Sequence, residues 1–352
     1  MLTNRENTLR NARFQRPEWI PAAVHINDAA WDMYREDMEE VCVRFPEFFP
    51  HVKKGWRDYA SYVFAPAYRV NEPFTDAWGC VWKTSTNGIE GVVSNAPIAN
   101  WTDLDGYCVP DANIQFDRNP ADWDAIAADI AQAKARGDVT AGGVPHGFLF
   151  LRTTYLRGFE NAMIDYAMDE PDMYRLIDLL VRHNRVLVDR YLRLGVDIME
   201  FADDLGSQTS TFLSPATFRK FIAPAYQALM EPCKAANVLV ALHSDGKTLG
   251  ILEEQVRSGV DIVNPQDLCN GIDNIARVIK GRACIRLDID RQTVLPYGSA
   301  SDIDNLIREE VMKLGSPEGG LEFIAGIYPP TPPKNVEALC SALRKYRRFW
   351  WE

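Results

Sequence analysis

Val196-Asp197-Ile198-Met199-Glu200-Phe201-Ala202-Asp203-Asp204 is an apolar run too short for a core helix, and it ends in two acids. Runs of the same kind recur at Val238-Leu239-Val240-Ala241-Leu242-His243, Asp261-Ile262-Val263-Asn264, Ala283-Cys284-Ile285-Arg286-Leu287-Asp288 and Leu321-Glu322-Phe323-Ile324-Ala325-Gly326. Helical stretches separate them near 249–258, 272–279, 300–314 and 335–349. Strand and helix in strict alternation mean parallel sheet with right-handed crossovers. Four such repeats, preceded by strand candidates at 20–26 and 139–144, predict an α/β chain folded as a (β/α)8 TIM barrel. A doubly wound sheet is the alternative, but no GxGxxG or P-loop supports it.

Working outward, 122–136 reads as a helix stopped by Gly137, and 148–168, 172–194 and 215–236 read as further helices. Ser214 and Pro215 supply the N-cap and first position of the last of these. Thr3 and Glu6 have capping-box spacing, and 28–43 is helical. Residues 44–121 hold many aromatics, prolines and glycines without clean periodicity. They read as short strands and loops, so residues 1–121 include an N-terminal helical and irregular extension. No Gly- or Ser-rich linker interrupts the chain, and 1–352 is taken as one domain.

The composition bounds the function. Of 352 residues, 47% are hydrophobic and 25% charged, the balance of a globular protein. The net charge of −11 repels polyphosphate, which argues against nucleic-acid binding. No run approaches ~18 uninterrupted apolar residues, so no membrane span is expected. Cysteines 42, 80, 108, 233, 269, 284 and 340 form no CxxC pair, which excludes a disulfide framework and a thiolate zinc finger. The opening residues lack a secretory apolar run, and a reduced, cytoplasmic protein is expected. Whether it forms a homo-oligomer is left open.

In such a barrel the chemistry sits at the C-terminal ends of the strands. Those ends carry His25, Asp203-Asp204, His243-Ser244-Asp245-Gly246, Asn264-Pro265-Gln266-Asp267 and Asp288-Ile289-Asp290-Arg291. The bland reading of any one Asp is a loop residue or helix N-cap, and of His243 a satisfied core histidine. The polar turn directly after an apolar run favours a site at His243. His51, His146 and His183 lack that context and receive no role. His243 and Asp245, with one more carboxylate such as Asp203, have the makings of an open three-ligand zinc site. A general acid hydrogen-bonded to a carboxylate is the alternative at the same residues.

The chain also resembles the uroporphyrinogen decarboxylase superfamily, and within it the corrinoid-dependent methyltransferases that serve as the first methyltransferase of O-demethylases. The resemblance spans nearly the whole length. It rests on Arg5-Glu6-Asn7-Thr8-Leu9-Arg10 with Arg16-Pro17-Glu18-Trp19-Ile20-Pro21, Asp76-Ala77-Trp78-Gly79-Cys80, Leu156-Arg157-Gly158-Phe159-Glu160-Asn161 and Asp203-Asp204-Leu205-Gly206-Ser207-Gln208. More specific are His243-Ser244-Asp245-Gly246, Asp288-Ile289-Asp290-Arg291-Gln292 with Leu295-Pro296-Tyr297-Gly298, and Pro330-Thr331-Pro332-Pro333-Lys334-Asn335. Two departures matter. The decarboxylase's Arg-rich stretch after the first strand is replaced by Ala22-Ala23-Val24-His25-Ile26-Asn27-Asp28. The His-x-Cys pair of the zinc thiol-methyltransferases has Asp245 in place of the Cys, and 323–330 has no Cys.

The resemblance implies transfer of a methyl group from a small methylated donor, an aryl methyl ether, to the cob(I)alamin of a separate corrinoid protein. Zn²⁺ on a harder N/O ligand set is implied for demethylating members, here His243, Asp245 and Asp203. Cobalamin is expected on the partner, since no motif of this chain binds it. His243, Asp203 and Asp288 are the expected catalytic groups. His25, Asp204, Gln208, Gln266, Trp78 and Tyr328 are expected around the donor. A lyase acting on another carboxylated substrate is the runner-up, and a barrel that has lost its chemistry the third reading.

Overall fold

The computed structural model describes residues 2–352. Its main sheet has seven parallel strands, β1 (Ala22–Ile26), β5 (Ala141–Gly143), β6 (Ile198–Ala202), β7 (Leu239–Ser244), β8 (Ile262–Pro265), β9 (Cys284–Asp288) and β10 (Leu321–Ile327), in the order β1-β10-β9-β8-β7-β6-β5. Between β1 and β5 the chain makes a separate antiparallel sheet of β2 (Phe74–Thr75), β3 (Val81–Lys83) and β4 (Val92–Asn95). The α/β class and the barrel-like parallel sheet are those expected. The count differs from eight: among the described residues, 44–121 adds no strand to the main sheet, whose ladder stays open between β1 and β5.

The sheet is nevertheless rolled. Arg286 on β9 reaches Glu200 on β6, three strands away, at 2.9 Å, and also binds Glu322 on β10 at 2.6 Å. Residues from all seven strands line one cavity of about 430 Å³ at the C-terminal mouth. Alternation along each strand explains the layering. Val240, Leu242, Val263, Ile285 and Leu287 face outward into the helices and are at most 1% exposed. Ile198, Leu239, Ala241, Ile262 and Cys284 form an inner apolar layer with Ala12. Ala12 ends the helix Asn4–Ala12, which opens with the expected Thr3–Glu6 capping box. That helix is tied to the barrel floor through Arg5 and Asp197 at 2.6 Å.

Local sequence sets the helix breaks. The stretch expected as one helix over 148–168 is split at Gly158, whose φ of 80° starts a new helix, Phe159–Met168. The longest helix, Pro171–Leu194, ends on Gly195 in the left-handed conformation. No helix is long and apolar enough to cross a membrane.

Behind the mouth, Asp267 and Glu310 are both buried. Asp267 accepts from the backbone N–H of Leu268 and of Asp290, while neither Glu310 oxygen has a hydrogen-bond partner. Ionised carboxylates only accept, so a bond between the two needs a proton. Burial, then the charge of Asp267, pushes the Glu310 carboxyl well above its ordinary range, and burial takes Asp267 to about 6. An acid whose folded pKa is raised contributes stability at low pH that is lost as pH climbs above its unfolded value. Replacing Glu310 by Gln removes that loss. The thermal midpoint of E310Q should pull progressively above wild type between about pH 5 and 8; a difference independent of pH would contradict this.

Candidate active site

The mouth cavity is built from the strand ends. β7 delivers His243 and, after Ser244, the turn Asp245-Gly246. Gly246 sits at φ +83°, and a Cβ there would lie 2.1 Å from the Gly206 carbonyl oxygen, so the turn accepts only glycine. Asn264 on β8 fixes the His243 ring. Its Nδ2 donates to the Arg286 carbonyl oxygen, which aims Oδ1 at His243 Nδ1, 2.9 Å away. Nδ1 therefore carries a hydrogen, and Nε2 is the working nitrogen, turned toward the carboxylates of the mouth.

Nε2 lies 3.2 Å from Asp245 Oδ1 and 3.8 Å from Asp204 Oδ1. Asp204 Oδ1 accepts from the Asp245 backbone N–H at 2.9 Å, and Asp204 Oδ2 stands 3.3 Å from Nε2 of His146. Asp245 is further held by Gln266 Nε2 at 2.9 Å and by the Arg291 guanidinium, which continues to Asp288 at 3.3 Å and lies over the Tyr328 ring at 5.3 Å. The approach to Asp288 lacks hydrogen-bond geometry, so Asp288 Oδ2 is a buried oxygen with no hydrogen-bond partner. It lines the cavity.

The electrostatics follow from this crowding. Burial would lower His243, but its contact with Asp245 and the charges of Asp245, Asp204 and Asp288 outweigh it and raise the pKa. His146 is raised to about 9 for the same reasons, Asp204 overcoming burial. Burial lifts Asp288 to about 6, whereas Asp245 is held below the usual carboxylate range because His243 and Arg291 overcome its burial. Two imidazoles that hold protons near neutrality thus face one acidic cavity.

Of the residues singled out from sequence, His243, Asp245, Asp204, Asp288, Tyr328 and His25 come together around this cavity or its floor. Gln266 positions, donating to Asp245 and accepting from the Gly246 N–H. Gln208 lies in a neighbouring pocket of about 240 Å³ shared with Gln266, Asp288 and Arg291. Two residues lie elsewhere. Asp203 is fully buried and turned outward, where it accepts from the backbone N–H of Phe150 (2.7 Å) and Leu151 (2.9 Å) and from the Tyr226 hydroxyl (3.0 Å). It caps the helix Phe150–Arg157 and cannot join His243 on a metal. Trp78 is packed against His183 and Arg152 beneath the small antiparallel sheet. His146, given no role from the sequence, stands beside Asp204 and His243. His146 follows the short strand β5 by three residues, and that position was its only signal.

Two groups of side chains have the spacing to hold a metal, His243–Asp245–Asp288 and His146–Asp204–His243, with ligand atoms within 4.8 Å of one another. In the first the Arg291 guanidinium already bridges the two carboxylates. The second contains no bridging cation and offers two imidazoles and one carboxylate, a donor set that suits zinc.

The uroporphyrinogen decarboxylase (URO-D) family matches residues 75–346, and the chain belongs to that family. A methyltransferase from Methanosarcina mazei has a similar fold, with TM-score 0.68 at 19% identity over 98% of this chain and 99% of that one. A B12-independent methionine synthase from a Shewanella species is more distant, with TM-score 0.40 at 12% identity over 62% and 64%. No curated protein matches in a sequence search.

Asp203 supplies a test that separates scaffold from site. Asp203→Ala strands two backbone N–H groups and a buried hydroxyl, and should cost about 2–4 kcal/mol of stability. Asp245→Asn, half-exposed at the mouth, should leave the thermal midpoint within a few degrees. An Asp203→Ala protein as stable as wild type would contradict the capping role.

Proposed function

We propose that the chain is a methyltransferase of the URO-D family. It moves a methyl group from a small methylated donor, an aryl methyl ether, to the cob(I)alamin of a separate corrinoid protein seated over the barrel mouth. The observation that carries this reading is the orientation of His243, with Nε2 aimed into an acidic cavity by the Asn264–Nδ1 bond. The family membership and the fold shared with the Methanosarcina mazei methyltransferase support it.

Cobalt(I) attacks the methyl carbon in line. Its electron pair forms the Co–C bond as the C–O bond breaks, and cobalt becomes formally Co(III). The leaving phenolate oxygen then needs a positive partner. His243 Nε2, proton-bearing because Asp245 and Asp204 raise its pKa, gives that oxygen its proton, and a positioned acid is worth ~10²–10⁴-fold. Asp245 holds the imidazolium, Gln266 and Arg291 hold Asp245, and Asp204 keeps His146 charged beside it. Zinc, where bound, would be held by His146, Asp204 and His243 and would supply Lewis-acid polarisation of the same oxygen.

A decarboxylating lyase would need a cation free for its substrate's carboxylate. Both guanidiniums of the cavity are already engaged, Arg291 by Asp245 and Asp288 and Arg286 by Glu200 and Glu322, which weighs against that alternative.

Purified protein should demethylate a methoxyarene only when a reduced corrinoid protein is present, because no group of the cavity is a nucleophile for methyl. Turnover at full rate without corrinoid would contradict the proposal. His243→Ala should lower the corrinoid-dependent rate ~10²–10⁴-fold with the fold intact. The wild-type rate should fall on the alkaline side, as His243 loses its proton above its ordinary pKa of 6.5.

A further inference from the structure

One layer below His243 the barrel interior is charged rather than filled. Glu200 pairs with Ala241 in the β6–β7 ladder, two residues before His243, and two residues of strand span about 6.6 Å. At that depth Arg286 gives Nε to Glu322 and Nη1 to Glu200, which leaves Nη2 for a ligand. The Glu200 side chain is 46% exposed although it lies inside the barrel. Both residues line the mouth cavity together with His25, Asp288 and His243. Gly143, Ala202, Ala241 and Gly326 keep the walls between the two layers thin. A second cavity of about 480 Å³ reaches the same Glu200, Arg286 and His25 from the flank. At the upper end, Asp288, beside Arg291, is part of the wall of the same space. The distance between the two polar layers suits a para-disubstituted benzene ring standing along the barrel axis. Its reacting substituent would be at His243 and its methyl group toward the open mouth.

The floor has a definite charge. One guanidinium against two carboxylates leaves it at −1, and burial, against the opposing charge of Glu200, depresses the pKa of His25. We infer that the Glu200–Arg286–Glu322 floor is a specificity subsite that reads the ring substituent opposite the methoxy group. It selects an uncharged hydroxyl and rejects a carboxylate. A phenol hydroxyl donates to the free oxygen of Glu200 and accepts from Arg286 Nη2. A carboxylate meets two like charges there, Glu200 and Glu322, which the single guanidinium of Arg286 does not balance. This inference rests on the aryl-ether reading above and names its substrate class, methoxyphenols rather than methoxybenzoates.

Calorimetric binding to the protein without corrinoid, using 4-methoxyphenol and 4-methoxybenzoate, tests it independently of turnover. 4-Methoxyphenol should bind at least tenfold more tightly than 4-methoxybenzoate. Glu200→Gln should narrow the gap to 4-methoxybenzoate by tenfold or more, while circular dichroism reports that the variant is folded. Should that variant fail to fold, the wild-type ranking alone still decides. Equal or tighter binding of the benzoate would overturn the subsite and leave the methyltransferase reading standing. Binding of neither would overturn the aryl-ether donor and the subsite with it.

Discussion

The Asn264 amide is the constraint on which the site depends. It is pinned by the Arg286 carbonyl oxygen on the next strand, and that bond decides which of its two ends meets His243. With Oδ1 facing Nδ1, the imidazole has one tautomer and one working nitrogen. Everything else in the mouth answers to that nitrogen. Asp245 and Asp204 flank it, Gln266 and Arg291 restrain Asp245, and His146 shares Asp204. The arrangement is preorganised by neighbouring strands rather than by flexible loops, which is how a proton donor can be held ready for a leaving group.

The same parallel sheet that aims His243 leaves the interior beneath it polar. In a filled (β/α)8 barrel, layers of branched apolar side chains occupy this space. Here the lowest layer is apolar and sealed by the helix Asn4–Ala12, whereas the next is Glu200, Arg286 and Glu322. The ladder is open between β1 and β5, and the flank cavity begins on that side. Burying one guanidinium between two carboxylates satisfies the charges at the cost of desolvating them. That cost is reasonable where the layer faces a ligand.

Much of this was legible in the sequence, for a physical reason. Parallel strands covered on both faces read as short continuous apolar runs, and each of the seven strands lies within or beside such a run. Among the acids and amides that follow them, His243, Asp245, Asp204 and Asp288 are brought together at the mouth. Asp203 and Asp204 illustrate the limit. They are adjacent, alike in composition, and point to opposite sides of the strand end. Only the position of the helix beginning at Phe150 determines which one is consumed as a cap. His146 was given no role because it stands three residues beyond its short strand, Ala141–Gly143, rather than in the polar turn directly after an apolar run. Trp78 looked like a pocket wall, and its burial against His183 depended on how the irregular extension folds. The eighth strand could not be refuted from sequence, since 44–121 has no periodicity with which to exclude one.

The account turns on the protonation of two imidazoles, and ¹⁵N-imidazole NMR followed between about pH 5 and 10 measures it directly. The geometry predicts that His243 keeps a proton on Nδ1 throughout, that its Nε2 titrates above the ordinary 6.5, and that His146 titrates near about 9. A His243 ring that carries its neutral-state proton on Nε2, or that titrates at or below 6.5, would contradict the proposed acid and the site built around it.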